Sequence, residues 1–280
     1  LEKELMQNKL KIAFIGGGNM ANALIGGLLV NLTTPENIHV VDPYQPSLSK
    51  LQATFGVTTA LQIDAALQTV DVIILSVKPQ QLREVVTTLA PHLKGQLLLS
   101  IAAGIRAVDI SRWLNGYDKI VRTMPNTPAL IGKGITGLAA MTGVSEMQRQ
   151  ASQDIMSAVG ETVWLKDESQ IDAVTAVSGS GPAYIFYFIE AMQQAALELG
   201  LDAAQAKQLA IATFNGAAQL AQASDEPVQV LRERVTSKGG TTYAALCSME
   251  ESKIKEAIIT AIKAAAARGK QLGDEFGAQA

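Results

Sequence analysis

The sequence predicts an α/β protein in which an N-terminal Rossmann-type, doubly wound sheet is followed by an all-α C-terminal dimerisation domain. Three observations predict it. From Lys11 to about Leu165, short Val/Ile/Leu runs alternate with amphipathic stretches, the pattern of a parallel sheet covered on both faces. A glycine turn, "GGGNMA" at 16–21, falls between the first such run and the first helical segment. After about Ser169 the strand signals stop and alanine-rich helical spacing takes over.

The strands are read at "KIAFIG", "IHVVD", "DVIILSV", "QLLLSIA", "KIVRTMP" and "GLAAM", with "NMANALIGGLLVN" and "PQQLREVVTTLA" as helices between them. Four or five helices follow, broken near Gly200-Leu201, Ser224 to Pro227 and Gly239-Gly240. The last carries Ile254, Ile258, Ala261, Ile262 and Ala265 in one stripe. The helix from Pro182 is apolar almost all round over Tyr184 to Ile189, so its outer face is expected to meet another chain, with Gly216 and Ala217 allowing close helix contact. A large monomer core would give the same pattern. At 280 residues the chain has length for two domains, read as residues 6–166 for dinucleotide binding and 167–280 for substrate binding and dimerisation.

Composition narrows the function. A net charge of −3 with 18% charged residues offers no surface for a nucleic acid. Cys247 is the only cysteine, which excludes an internal disulfide and a multi-cysteine zinc site and fits a cytoplasmic setting; no metal is expected. The most apolar segment, "PAYIFYFIEAMQQAALELG", is interrupted by Glu190, Gln193 and Gln194, so no membrane span is expected. The opening "LEKEL" before Met6 has no apolar leader core and is set aside.

Gly16-x-Gly18-x-x-Ala21 directly follows a strand and heads a helix. The first glycine permits the tight turn, the second lets backbone approach a pyrophosphate, and the small third residue lets helix and strand pack closely. The bland alternative is a glycine-rich turn that binds nothing. The next strand ends at Asp42, near the offset where an acid meets the adenosine ribose and repels a 2′-phosphate; Asp42 is equally suited to start the turn at Pro43. Lys78 stands at the carboxyl end of "DVIILSV", where ligands bind in open α/β sheets, though a solvated loop lysine fits as well. Ala102-Ala103-Gly104 is small enough for a ring to lie against backbone, and Pro125, Asn126 and Pro128 shape either a wall beside it or an ordinary loop.

Reducing a ketone requires an acid for the developing alkoxide. His39 lies within a strand and His92 in a surface turn, so neither suits. An imine asks less, because its nitrogen can carry the proton before hydride arrives. "VTSKGGTT" at 235–242 then acquires a use: a glycine pair ahead of a helix beginning near Thr241 leaves backbone N–H groups unpaired for a small carboxylate, with Thr242 able to hydrogen-bond a ring nitrogen. Alternatively Ser237 and Thr241 simply cap that helix. Ser178 to Gly181, read as a tight turn, sets up another helix start at Pro182.

At these residues the chain resembles the pyrroline-5-carboxylate reductases, which complete proline synthesis. "GGGNMA", "SVKPQ", Ala102 to Gly104, "RTMPNTP", "SGSGPAY" and the run from Val235 to Glu250 occur in family order from Met6 onward. The resemblance implies that Gly16, Gly17, Gly18, Asn19 and Met20 bind the cofactor phosphates. Ser76, Val77, Lys78, Pro79 and Ala103 would line its ribose and nicotinamide, and the region of Asp42 would meet the adenosine. Ser237, Gly240, Thr241 and Thr242 would surround the imine and its carboxylate, Glu168 would touch the ring, and Thr242 with Lys78 would serve catalysis. It further implies a homodimer intertwined through the helical half, also as a decamer of five dimers, with the partner completing each site. The family mostly prefers NADPH, whereas Asp42 speaks for NADH; NADP(H) is taken by analogy and NAD(H) stays open. Two departures stand out: Lys238 replaces the usual proline, and the spacing from Pro227 to Leu231 differs by one, so Asp225 and Glu226 receive no role. A β-hydroxyacid dehydrogenase would need a lysine on the helix after Gly181, which offers Tyr184, Tyr187 and Glu190 and no lysine before Lys207. A non-catalytic NADP sensor is the rival of another class.

Overall fold

The computed structural model of the protein describes residues 10–278, so the opening "LEKEL" and Met6 lie outside the described residues. Strands β1 (Ile12–Ile15), β2 (Ile38–Val41), β3 (Thr58–Ala60), β4 (Val72–Leu75), β5 (Leu97–Ser100), β6 (Ile120–Met124), β7 (Gly134–Ala140) and β8 (Gly160–Trp164) form one sheet. Their order is β3-β2-β1-β4-β5-β6-β7-β8. All six runs expected to be strands contain one. The sheet departs from a purely parallel one at β7, which pairs antiparallel with β6; the link from Met124 to Gly134 is shorter than the roughly dozen residues a parallel crossover requires. Two strands were not foreseen, both at sheet edges. β3 is only "TTA", and β8, "GETVW", alternates exposed and half-buried residues instead of forming an apolar run.

Helices α1 (Asn19–Asn31), α2 (Gln45–Phe55), α3 (Pro79–Leu89), α4 (Ala107–Trp113) and α5 (Glu146–Ser157) cover the sheet. The two-residue period of β1 explains why both faces are filled: Ile12 and Phe14 pack with Leu24 and Leu28 of α1, while Ala13 and Ile15 pack with Leu82 and Val86 of α3. A short α6 (Ile171–Val174) follows β8. The tight turn expected at Ser178–Gly181 is instead a π-helical turn over Thr175–Gly179, closed by the Ser180 amide on the Thr175 carbonyl at 2.8 Å. The one-residue surplus of a π turn lets the chain continue in helical form where the Ser/Gly composition suggested a break.

Two compact units emerge: one runs through Ser180 and takes the chain back from Ala265, and the other is Gly181–Ala264. The second contains α7 (Gly181–Glu198), α8 (Ala203–Gln222), α9 (Val228–Arg234), α10 (Thr241–Glu251) and the start of α11 (Ile254–Gly277). Its interior is thin. Phe188 and Phe214 approach to 6.4 Å between ring centroids, yet α7 buries no residue, and Phe186 and Tyr187 are 65% and 73% exposed. The stripe Ile254, Ile258, Ala261 and Ile262 lines an apolar groove of about 350 Å³ with Tyr184 and Phe188. The return of α11 to the first unit has a steric basis: Gly269, Gly273 and Gly277 recur every fourth residue and are buried, meeting Asp172, Arg106 and Asp109 without side chains of their own. Among the described residues no helix is long and apolar enough to cross a membrane, and no cluster of metal-ligating side chains occurs.

Candidate active site

The sheet order reverses between β1 and β4, so their carboxyl ends leave a crevice. A cavity of about 620 Å³ opens there, and Gly16, Gly18, Asp42, Ser76, Val77 and Lys78 line it. Gly16 has φ +103°, and a Cβ on it would stand 2.6 Å from the Ser76 carbonyl oxygen; only glycine fits that turn. The Ser76 hydroxyl donates to the Gly16 carbonyl at 2.7 Å, tying the turn to β4. Gly18 has open space where its Cβ would be, and it precedes α1 with no side-chain cap, so the first-turn amides face the cavity mouth unmasked. Ala21 is fully buried beneath them. A dinucleotide pyrophosphate fits this donor set and this room.

Gly16→Ala is expected to weaken coenzyme binding at least about tenfold and to lower stability by roughly 1–3 kcal/mol, since it combines an unfavourable φ with a backbone clash. Coenzyme titration alongside thermal melting checks both.

Asp42 lines the cavity and starts the turn at Pro43, and its carboxylate is already engaged. One oxygen accepts the Gly17 amide at 2.7 Å and the other the Tyr44 amide at 2.8 Å. The first bond anchors the glycine turn and the second closes the turn at Pro43. Each oxygen keeps a second lone pair for a ribose hydroxyl. Gly17 is clamped twice, because Ser47 also donates to its carbonyl at 2.6 Å; its amide therefore points to Asp42. Lys78 is exposed and precedes Pro79, the first residue of α3. Asn19 is exposed at the start of α1, whereas Met20 packs against the core. His39 lies in β2 with Nδ1 2.9 Å from Thr58 Oγ1, and neither it nor His92 lines the cavity.

Ala103 is half-buried in the loop joining β5 to α4. Glu168, four residues past β8, reaches the far end of that loop: its Oε1 accepts the Ala107 amide at 2.6 Å and the Arg122 Nη1 at 3.1 Å. Asn126 ties its loop to neighbouring backbone, its amide nitrogen donating to the Ser178 carbonyl at 3.3 Å and its oxygen accepting from the Ile135 amide at 3.0 Å. Three participants escaped the sequence reading: Ser47, Arg106 and Arg122. Arg122 left a signal, since a cation inside a strand buried on both faces demands an acid partner. Arg106 binds Asp109, and that hydrogen bond raises its guanidinium above the ordinary value.

In the helical unit, Gly239 at φ +74° turns the chain and Gly240 becomes the N-cap of α10, with no side-chain hydrogen bond to the cap. Ser237 and Thr241 thus do not cap the helix. Ser237 supplies its carbonyl to the Gly240 amide at 2.9 Å instead, and Lys238 is exposed. Thr241 and Thr242 open the first turn, Thr242 half-buried. At the next residue, the Tyr243 phenol is held above its ordinary value by a hydrogen bond with the Cys247 thiol one turn on.

Residues 168–272 match the family model of pyrroline-5-carboxylate reductase dimerisation, and residues 11–104 match that of NADP oxidoreductase, coenzyme F420-dependent. A pyrroline-5-carboxylate reductase from Pseudomonas aeruginosa is 44% identical over 268 residues, covering 95% of this chain and 98% of that one. A solved pyrroline-5-carboxylate reductase from Coxiella burnetii superposes with a TM-score of 0.89 at 40% identity, covering 95% of this chain and 99% of that one. The Plasmodium falciparum pyrroline carboxylate reductase, solved with NADP bound, gives 0.86 at 30% identity, over 96% and 99%.

Proposed function

The chain belongs to the pyrroline-5-carboxylate reductase family, and we propose from that premise how its residues divide the reaction. It reduces 1-pyrroline-5-carboxylate to L-proline, taking hydride from NAD(P)H. The observation that carries this is agreement with relatives of that activity along nearly the whole length of both chains.

Gly16, Gly18 and the amides opening α1 hold the coenzyme pyrophosphate, with Asn19 and Met20 starting that helix. Gly17 and Ser47 keep the turn in shape through Asp42 and the Gly17 carbonyl. Asp42 marks the adenosine ribose; Ser76, Val77, Lys78, Pro79 and Ala103 flank the second ribose and the nicotinamide. NADP(H) is the coenzyme class, and NAD(H) stays open beside it. The reduced nicotinamide, when bound, supplies the hydride. Gly240, Thr241 and the first-turn amides of α10 hold the substrate carboxylate, with Ser237 shaping the bend. Thr242 accepts the ring N–H through its hydroxyl and orients the C=N bond. No separate acid is required, because the nitrogen arrives protonated and leaves as a basic amine. The exposed aromatic face of α7 supports a homodimer whose chains complete one another's sites; assembly into a decamer of five dimers and a cytoplasmic setting rest on the family resemblance alone.

The test is the absorbance of NADPH and of NADH on addition of pyrroline-5-carboxylate. Coenzyme oxidation with proline as product is expected. Tight coenzyme binding with no oxidation by either would identify a sensor and remove the catalytic assignment.

A further inference from the structure

The loop between β5 and α4, residues 101–106, is gripped at its far end from two distant parts of the sequence. Gly104 has φ +73°, and a Cβ there would lie 3.0 Å from Leu272 Cβ, so the returning end of α11 rests directly on the loop. Arg106 then spends its guanidinium on that helix: Nη2 donates to the Gly273 carbonyl at 2.7 Å and Nη1 to Asp274 at 3.0 Å, while Nε binds the buried Asp109 at 2.9 Å. The next residue, Ala107, gives its amide to Glu168 at 2.6 Å, and Glu168 is anchored in turn by Arg122, only 3% exposed. Phe276 packs on the same core cluster as Ala102 and Ile105.

Loops move by default, whereas hydride transfer needs the donor ring placed to within about half an ångström. A planar fork tied to a carbonyl and two carboxylates fixes direction as well as distance. We propose that Glu168 and Arg106 are positioning residues that hold the β5–α4 loop as the wall for the nicotinamide, with the last turns of α11 as the support behind it. The proposal rests on the assignment of Ala103 to that wall. It gives Glu168 work on the coenzyme side of the reaction, where the family resemblance implies contact with the substrate ring.

The experiment uses the full-length enzyme and measures coenzyme Kd and fluorescence of the bound reduced nicotinamide, together with kcat and the KM for the imine. Glu168→Ala and Arg106→Ala are each expected to raise coenzyme Kd and lower kcat by about tenfold, the loss of one charge-assisted hydrogen bond, with imine KM within about twofold. Glu168→Gln and Arg106→Lys should recover part of the loss, since the Gln oxygen still accepts the Ala107 amide. The double alanine variant should lose less than the product of the singles, because both act on one loop. Arg106 is partly exposed, so its variant carries the test if Glu168→Ala does not fold. A raised imine KM with unchanged coenzyme Kd and fluorescence in Glu168→Ala, or unchanged values in Arg106→Ala, overturns the proposal. Ala103→Phe separates its premise: if this bulky change leaves coenzyme binding and fluorescence intact, the wall assignment is what fails. If Ala103→Phe disrupts binding while the Glu168 and Arg106 variants do not, the positioning role alone fails.

Discussion

Thr242→Ala is expected to lower kcat/KM for pyrroline-5-carboxylate by roughly 10–100-fold while coenzyme Kd stays within about twofold. The size follows from the chemistry of the contact. A hydroxyl that accepts the N–H of a cationic ring is a hydrogen bond to a charged group, and its loss leaves the cation without a fixed partner as hydride approaches. Thr242 is suited to this by its place: α10 starts at Gly240 with no side-chain cap, so its first-turn donors and the Thr242 hydroxyl share one end of the helix. Alanine is the better helix former, so lost stability will not mimic lost turnover. Thr242→Ser should restore most of the rate and Thr242→Val, equal in shape, should not. Steady-state kinetics with a parallel fluorescence titration of NADPH decide the matter. An unchanged kcat/KM in the alanine variant removes Thr242 from the mechanism.

The legible parts of the molecule were those where local pattern and tertiary environment agree. Strands covered on both faces had to be short, largely apolar runs, and β1, β2, β4 and β5 are, with His39 in β2 and Ser100 at the end of β5 the polar exceptions. Gly16 had to be glycine because of its positive φ and its contact with Ser76. The edge strands carry no such constraint, so "TTA" and "GETVW" gave little sign of themselves. Long-range pairings were invisible for another reason. Nothing local distinguishes Gly273 from any small helical residue; its value lies in a carbonyl that Arg106 reaches across more than half of the chain. Asp42 is ambiguous in sequence because both readings place it at one spot; the amides of Gly17 and Tyr44 show the turn role, which the sequence alone does not separate from a place beside the ribose. The glycines of "SGSGP" suggested a break, but helical backbone tolerates them when a π turn absorbs the surplus residue.

Arg122→Met is expected to destabilise the sheet unit by about 3 kcal/mol, toward the lower end for removing one member of a buried ion pair. Arg122 stands in β6 with 3% of its surface exposed, Nη1 3.1 Å from Glu168 and Nη2 3.8 Å from Asp172. Methionine keeps most of the apolar stem, so the loss isolates the charge from the packing. What remains is two neighbouring carboxylates facing an apolar strand with no cation between them. Their side chains are 28% and 30% exposed, so water offsets part of the penalty, which is why the upper end of the range is not expected. At about 2–4 °C per kcal/mol for a unit of this size, the first thermal transition should fall by roughly 6–12 °C. Arg122→Lys should fall between, since one ammonium cannot fork to both acids. Adding Glu168→Gln to Arg122→Met should recover stability by removing an unpaired charge, a coupling that a double-mutant cycle reads directly. If Arg122→Met melts with the parent protein, the pair contributes nothing to folding, and the anchor assigned to Glu168 loses its foundation.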